Sequence, residues 1–367
     1  MMNEQEIPIL DLKPQYQTLK AEIHQAIERV LTTTSFIMGP DVKAFEEEIA
    51  RYLGVKHAIG VNSGTDALVI GLKAMGIGPG DEVITTPFTF FATAESISSV
   101  GAKPVFVDIE ESTFNLDPRL IEAKLTSKTK AIMPVHLYGR PANMTTILDI
   151  ARKNGLQVIE DCAQSFGATY QGRQSGTLGN VGAYSFFPSK NLGAYGDGGL
   201  IATQDDKIAD ISRMLRTHGA KKKYHNEILG FNSRLDTIQA AILRVKLPHI
   251  DQWNQERRKI AKTYGELFTG MPQIIAPEVS EGHVFHQYTI RILGGQRDRI
   301  HKKLEEKKIG TMLYYPIPQD LLPIYKGQYP KSPVSEMLTG EVISLPIWPE
   351  MRRETIERVV EGIKSCL

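Results

Sequence analysis

A chain of 367 residues exceeds what one small core serves and favours a large domain joined to a smaller one. Forty-three basic against forty-two acidic side chains leave a formal charge of +1, which excludes the electrostatic footprint of a nucleic-acid or anionic-membrane binder, so any anionic ligand has to be held locally. No run of about 18 apolar residues occurs and no basic segment leads into an apolar one near the start, while two cysteines, Cys162 and Cys366, are too few for a disulfide framework or a four-ligand zinc site. The expectation is a soluble, unexported, cytoplasmic protein without a metal centre.

The chain opens on an amphipathic helix, roughly Lys13 to Leu31. Seven runs rich in β-branched residues follow: "KHAIGV", "DEVITT", "KPVFVD", "KAIMPV", "LQVIED", "GAYSFF" and "GGLIAT". Between several of them lie segments with apolar spacing of three and four, Thr65 to Met75, Phe91 to Val100 and Met144 to Lys153, which is the pattern of βαβ units. An α/β fold is therefore expected, with a mostly parallel seven-stranded sheet, flanking helices and ligands gathered beyond the carboxyl ends of the strands. A long helical segment from about Arg234 to Leu267, kinked at Pro248, leads into a different region. There "HQYTIRIL", "GTMLYYP" and "EVISLP" read as strands, with helices near Arg297 to Lys307 and Arg352 to Lys364. The expected organisation is an N-terminal helical segment, residues 1–35, packing with the small domain; a large domain, 36–249; and a smaller α+β C-terminal domain, 250–367.

The strand ends carry the chemistry. "VNSGTDAL" places Ser63, Gly64 and Thr65 where a helix opens, and a helix start offers unpaired amides and a positive dipole end to a phosphate. Ser63 with Asp66 also forms a capping-box-like pattern, a reading compatible with anion binding. "LQVIEDCAQSFGA" sets Asp161 at the end of an apolar strand, where a carboxylate is costly unless a cation or a proton meets it, or where it caps the next helix. Gln164 follows three residues on. Phe88, Phe90 and Phe91 in "TTPFTFFATAES" are ordinary core candidates, one of which is placed to lie on a planar ligand. Lys190, the lone cation of "SFFPSKNLGAYGDGG", comes five residues after Ser185, and the glycines beyond it would let the backbone pass close to a bulky ligand. A phosphate anchor, an acid for a ring nitrogen, an aromatic lid and an amine together are what pyridoxal phosphate requires.

These segments resemble the DegT/DnrJ/EryC1/StrS sugar aminotransferases, pyridoxal phosphate enzymes of the aspartate aminotransferase fold. The likeness covers nearly the whole chain, through "FIMGPDVKAFE", "VNSGTDAL", "EVITTPFTFFAT", "PVHLYGRPANM", "IEDCAQSFGA", "AYSFFPSKNLGAYGDGG", "LRTHG", "GFNSRLDTIQAAIL" and "SLPIWPE". The resemblance implies that Lys190 bonds the cofactor aldehyde, that Asp161 partners the pyridine nitrogen, that Gln164 contacts the ring hydroxyl and that Phe90 stacks on the ring. Gly64, Thr65 and Ser185 would hold the phosphate, joined by Asn232 from the other subunit of a homodimer. It further implies an amino donor, L-glutamate, leaving as 2-oxoglutarate, and a nucleotide-linked keto sugar as acceptor, without nucleic acid or membrane partners. "NSRLDTIQAA" is more similar to members acting at C3 than at C4, although Tyr314 in "MLYYP" stands where such members often carry histidine. His218, Arg234 and Tyr314 are the candidate substrate contacts. Two alternatives remain within the resemblance, a regulatory protein of the same fold and a sugar dehydratase. The dehydratases carry histidine where this chain has Lys190.

Overall fold

Helix α1 (Lys13–Thr33) begins the computed structural model of the chain, which describes residues 6–367. Helix α2 (Pro40–Leu53) starts on a proline, whose missing N–H costs nothing at a first turn, and stops at Gly54 with φ of 71°. Its Val42, Phe45, Ile49 and Leu53 recur at helical spacing and enter the core. Helix α1 was expected to pack with the C-terminal region; its Ala26 and Val30 instead meet Ala241, and Leu19 and Ile23 join the same core as α2. The apolar stripe of α1 finds its complement there. Just before it, Ile7 bridges to Ile309 and joins the C-terminal core.

All seven predicted runs become strands of one sheet. In chain order the strands are β1 (His57–Val61), β2 (Glu82–Thr85), β3 (Lys103–Phe106), β4 (Thr129–Ile132), β5 (Gln157–Asp161), a two-residue hairpin of β6 (Thr169–Tyr170) and β7 (Arg173–Gln174), then β8 (Val181–Ser185) and β9 (Gly199–Thr203). The sheet order is β1-β9-β8-β5-β4-β2-β3. Only β9 runs against its neighbours, so six carboxyl ends and one amino end share an edge. Helices α3 (Gly64–Ala74), α4 (Ala92–Ser99), α5 (Met144–Lys153) and α6 (Asp206–Leu215) connect the strands. Of these, α3 is buried on nearly every side, with Leu68, Ile70 and Leu72 in the central core. A second hairpin, β10 (Ala220–Lys222) with β11 (His225–Asn226), lies beyond α6.

Helix α7 (Thr237–Lys246) and helix α8 (Ile250–Leu267) are separated by a 3-10 turn at Leu247–His249 that contains Pro248, the expected kink. The passage between cores runs along α8: Ile250 and Trp253 belong to the core shared with α2, and Ile260, Ala261 and Tyr264 to a second. That second core covers a three-stranded antiparallel sheet, β12 (Ile274–Ile275), β13 (Tyr288–Ile292) and β14 (Val342–Leu345), with α9 (Arg297–Glu306), α10 (Pro333–Thr339) and α11 (Arg353–Lys364). The segment "GTMLYYP" is not the strand expected. It makes one bridge, Met312 with Ser344, and then leaves the ladder. Tyr138 holds the Tyr314 carbonyl and Gln164 holds the Tyr315 hydroxyl, which draws this segment toward the large sheet's edge. Among the described residues no helix is long and apolar enough to cross a membrane.

Candidate active site

The ends of β1, β2, β5 and β8 and the start of β9 open on one cavity of about 610 Å³, which Leu313, Tyr314 and Tyr315 also line. Gly64 and Thr65 begin α3 on its wall. Ser63 Oγ caps this helix by accepting the Asp66 N–H at 3.1 Å, leaving earlier amides of the turn free. A Cβ on Gly64 would stand 2.7 Å from that of Ser185, so glycine alone lets the helix start lie against the end of β8. Ser185 Oγ accepts the Phe187 N–H at 3.3 Å and presents its hydroxyl on the same wall. Gly198 lines the cavity, whereas the glycine after it answers to the protein itself. A Cβ on Gly199 would meet the Ser63 carbonyl at 2.2 Å, so protein backbone rather than a ligand dictates glycine there.

Asp161 is buried at the end of β5, with Oδ2 accepting from Thr93 Oγ1 at 2.8 Å and Oδ1 from the Ala163 N–H at 3.1 Å. Burial raises its pKa, and the opposing pull of the Ala163 amide, Thr93, Lys190 and His136 does not cancel that rise. This carboxylate has room for a cationic partner. Lys190 faces the same cavity, and its Nζ has no hydrogen-bond partner among the described residues. It keeps some surface, all the same lying deep among protein atoms, and burial lowers its pKa to about 8 against the attraction of Asp161. An amine so placed reaches its neutral, nucleophilic form near physiological pH.

Gln164 Oε1 accepts the Tyr138 N–H at 2.6 Å and Nε2 donates to Tyr315 Oη at 3.1 Å, which fixes the amide's orientation and leaves one N–H over. The three phenylalanines separate by role: Phe88 is fully buried, Phe91 packs beside Tyr325, and Phe90 is 60 % exposed on the cavity wall. Tyr314 lines the cavity as well. Asn232, Arg234 and His218 do not. Asn232 and His218 are exposed and Arg234 is partly so; their segment is tied to the end of β1 by Ser233 Oγ, which donates to Asn62 at 3.1 Å.

The residue before Asp161 points the other way. Glu160 is wholly buried and accepts from the amides of Gly176, Leu178 and Gly179 at 2.7, 2.8 and 2.7 Å and from His136 Nε2 at 2.9 Å. His136 Nδ1 accepts the Ala142 N–H at 3.0 Å, so the ring carries its proton on Nε2. With Cys162 these side chains form the one metal-sized cluster among the described residues, yet the lone pairs a metal would need are taken up in hydrogen bonds. Thr93, Tyr315 and His286 also line the cavity and escaped the sequence reading. Thr93 stands three residues past Phe90 in "TFFATAES", a signal visible in retrospect. His286 had none, since its strand was read only as a strand.

A family model for the DegT/DnrJ/EryC1/StrS aminotransferase family matches residues 17–364. The chain belongs to this family. It is 51% identical over 367 residues, 97% of each chain, to a protein of Geobacillus stearothermophilus named a pleiotropic regulatory protein. It is 46% identical, over 98% of each chain, to the UDP-N-acetyl-3-dehydro-alpha-D-glucosamine 3-aminotransferase of Acidithiobacillus ferrooxidans. Among solved structures, S. venezuelae DesV in complex with a ketimine intermediate superposes with a TM-score of 0.95 at 43% identity, over 98% of each chain.

Proposed function

We propose that this aminotransferase uses pyridoxal phosphate to move an amino group from L-glutamate to the C3 carbonyl of a nucleotide-linked keto sugar. The observation that carries the reading is the convergence of an unpartnered lysine amine, a buried carboxylate and a free helix start on one cavity. The residues present fit the cofactor: the first turn of α3 and the Ser185 hydroxyl suit a phosphate, and Asp161 lacks the cation that would offset its burial. When bound, pyridoxal phosphate supplies an aldehyde that condenses with amines and a ring that accepts electrons.

In this reading Gly64, Thr65 and Ser185 hold the phosphate, Asp161 keeps a proton on the ring nitrogen, the spare N–H of Gln164 meets the ring oxygen and Phe90 covers a ring face. Lys190 anchors the cofactor covalently through its neutral amine. Once released, Lys190 Nζ takes the proton from the donor's α-carbon and later returns one to the sugar carbon that receives nitrogen, a general base contribution of about 10² to 10⁴ in rate. Leu313, Tyr314 and Tyr315 limit the access of water. The C3 assignment rests on the Acidithiobacillus relative's name.

Leu31, Phe36, Ile37 and Met38 form an exposed apolar group beside the Asn232 segment, to which Ile37 pairs through Asp236. A second copy covering that group would bring its own Asn232 to the phosphate, and His218 and Arg234 to the sugar nucleotide. The two cysteines are buried and unpaired, in keeping with a cytoplasmic protein. A regulatory role enters through the name of the Geobacillus relative, and salt-sensitive binding to duplex DNA would support it. The deciding experiment adds L-glutamate to the cofactor-loaded protein and follows the visible absorbance band. The band is expected to vanish and to return with a keto sugar nucleotide; a band indifferent to every amino donor would overturn the proposal.

A further inference from the structure

The turn that carries Phe90 is held by a residue that the mechanism above does not use. Phe90 stands largely exposed on the cavity wall, and the Tyr315 ring beside it lies 6.4 Å off, centre to centre, so packing does little to fix its place. Its backbone has to do so instead. Gln319, 1 % exposed, donates from Nε2 to the Thr89 carbonyl at 3.0 Å and to the Phe90 carbonyl at 2.6 Å, while its backbone N–H donates to the Pro87 carbonyl at 2.8 Å. One buried residue thus answers three carbonyls of the turn.

Carbonyl oxygens only accept, which settles the orientation of the Gln319 amide: its NH2 faces the turn and Oε1 points away. That oxygen is buried and has no partner among the described residues, a cost that a side chain merely filling the space would not carry. The segment beyond Gln319 is itself anchored. Tyr325 Oη donates to the Ala94 carbonyl at 3.2 Å, and the amides of Val334 and Ser335 donate to Asp108 at 2.8 and 3.0 Å. At the other end of the turn Thr93 Oγ1 spends its one proton on Asp161 at 2.8 Å and so accepts from Thr89 Oγ1 at 3.0 Å. Phe90 sits between these two anchors.

We infer that Gln319 is a positioning residue for Phe90: by holding the Thr89 and Phe90 carbonyls, its side-chain amide sets where the Phe90 ring stands over the cavity and so how that ring meets a planar cofactor. This rests on Phe90 being the residue that covers the cofactor ring. Without the amide, two enclosed carbonyls lose their donor and the peptide planes on either side of Phe90 turn to find another. A ring with so little packing follows its backbone.

The test uses Gln319→Met, which keeps the length of the side chain and removes both donors, and Gln319→Glu, which sets a carboxylate oxygen against the two carbonyls. In cofactor-free protein, hydrogen exchange followed by peptide mass is expected to quicken about tenfold across residues 89–93 in Gln319→Met and further in Gln319→Glu, with the strands of the large sheet unchanged. In protein loaded with pyridoxal phosphate, the circular dichroism of the visible band is expected to weaken in Gln319→Met and in Phe90→Ala. Adding Gln319→Met to Phe90→Ala should weaken it no further, because a residue acting through Phe90 then has nothing to act on. Unaltered exchange in the turn, a loss that adds to that of Phe90→Ala, or a loss in Phe90→Ala with none in Gln319→Met would each overturn this inference alone. No loss in Phe90→Ala would defeat the stacking role and this inference together.

Discussion

Lys190 and Lys246 are both enclosed lysines, and burial lowers each to about 8. Their surroundings use them differently. Lys246, on α7 and 1 % exposed, donates to the Gly193 carbonyl and lies 5.1 Å from the centre of the Tyr195 ring. It holds the loop that follows Lys190. Lys190 itself has no protein partner for its amine and opens on the cavity. A lowered lysine pKa therefore reports burial, and only an unspent amine beside an open volume reports chemistry.

The same contrast separates adjacent carboxylates. Glu160 and Asp161 project to opposite faces of β5, one filled by four hydrogen bonds and the other left with two and a cavity in front of it. Strand geometry makes this division automatic, because successive side chains alternate between faces. One acid serves the fold while its neighbour is left for a ligand.

The sharpest way to break the lysine comparison is to remove each amine in turn. Lys190→Ala is expected to lose about 10³-fold or more in transamination rate while remaining folded, and Lys246→Met to keep its activity, as read by steady-state kinetics. Equal losses in the two variants would show that enclosure alone was the relevant property.

A smaller effect is expected at the carboxylates. Asp161→Asn should lower the rate by about 10²-fold with little change in melting temperature, since the ring nitrogen loses its proton-holding partner. Glu160→Gln should instead cost about 2 to 3 kcal/mol of stability, measured by denaturant unfolding, because its NH2 would face donors in either orientation, those of Leu178 and Gly179 or those of Gly176 and His136.

The smallest effect is in the pH dependence. Uptake of pyridoxal phosphate by the cofactor-free protein should quicken as pH rises through about 8, where Lys190 sheds its proton. Stability should rise as well. Above about 8 the folded chain binds fewer protons at Lys190 and Lys246 than the unfolded chain, so the burial penalty fades up to the ordinary lysine value. Lys246→Met should flatten the stability slope without moving the uptake profile, which assigns each lysine its own pH signature.

Much of the fold was legible because it is repetitive. Seven β-branched runs separated by helical spacing leave few arrangements other than a parallel sheet, and the chemistry of its open edge follows from where those strands end. Helix α2, with a proline at its start, a glycine at its stop and Val42, Phe45, Ile49 and Leu53 between, carried a readable signal that the sequence reading left unused. Other features were not local. "GTMLYYP" has the composition of a strand, and its departure from the ladder depends on Tyr138 and Gln164, more than 140 positions earlier. The packing partner of α1 was likewise settled by a helix more than 200 residues away.

The sequence by itself determined the sheet, the helix start at Gly64, the positions of Asp161 and Lys190, and the family. Each follows from spacing or from an ordered set of short motifs. Tertiary structure alone decided which of three phenylalanines faces the cavity, why Gly199 must be glycine, and which of two adjacent acids and which of two buried lysines stays available. Those outcomes depend on which polar groups are already satisfied by partners brought from distant parts of the chain, and no local pattern records that.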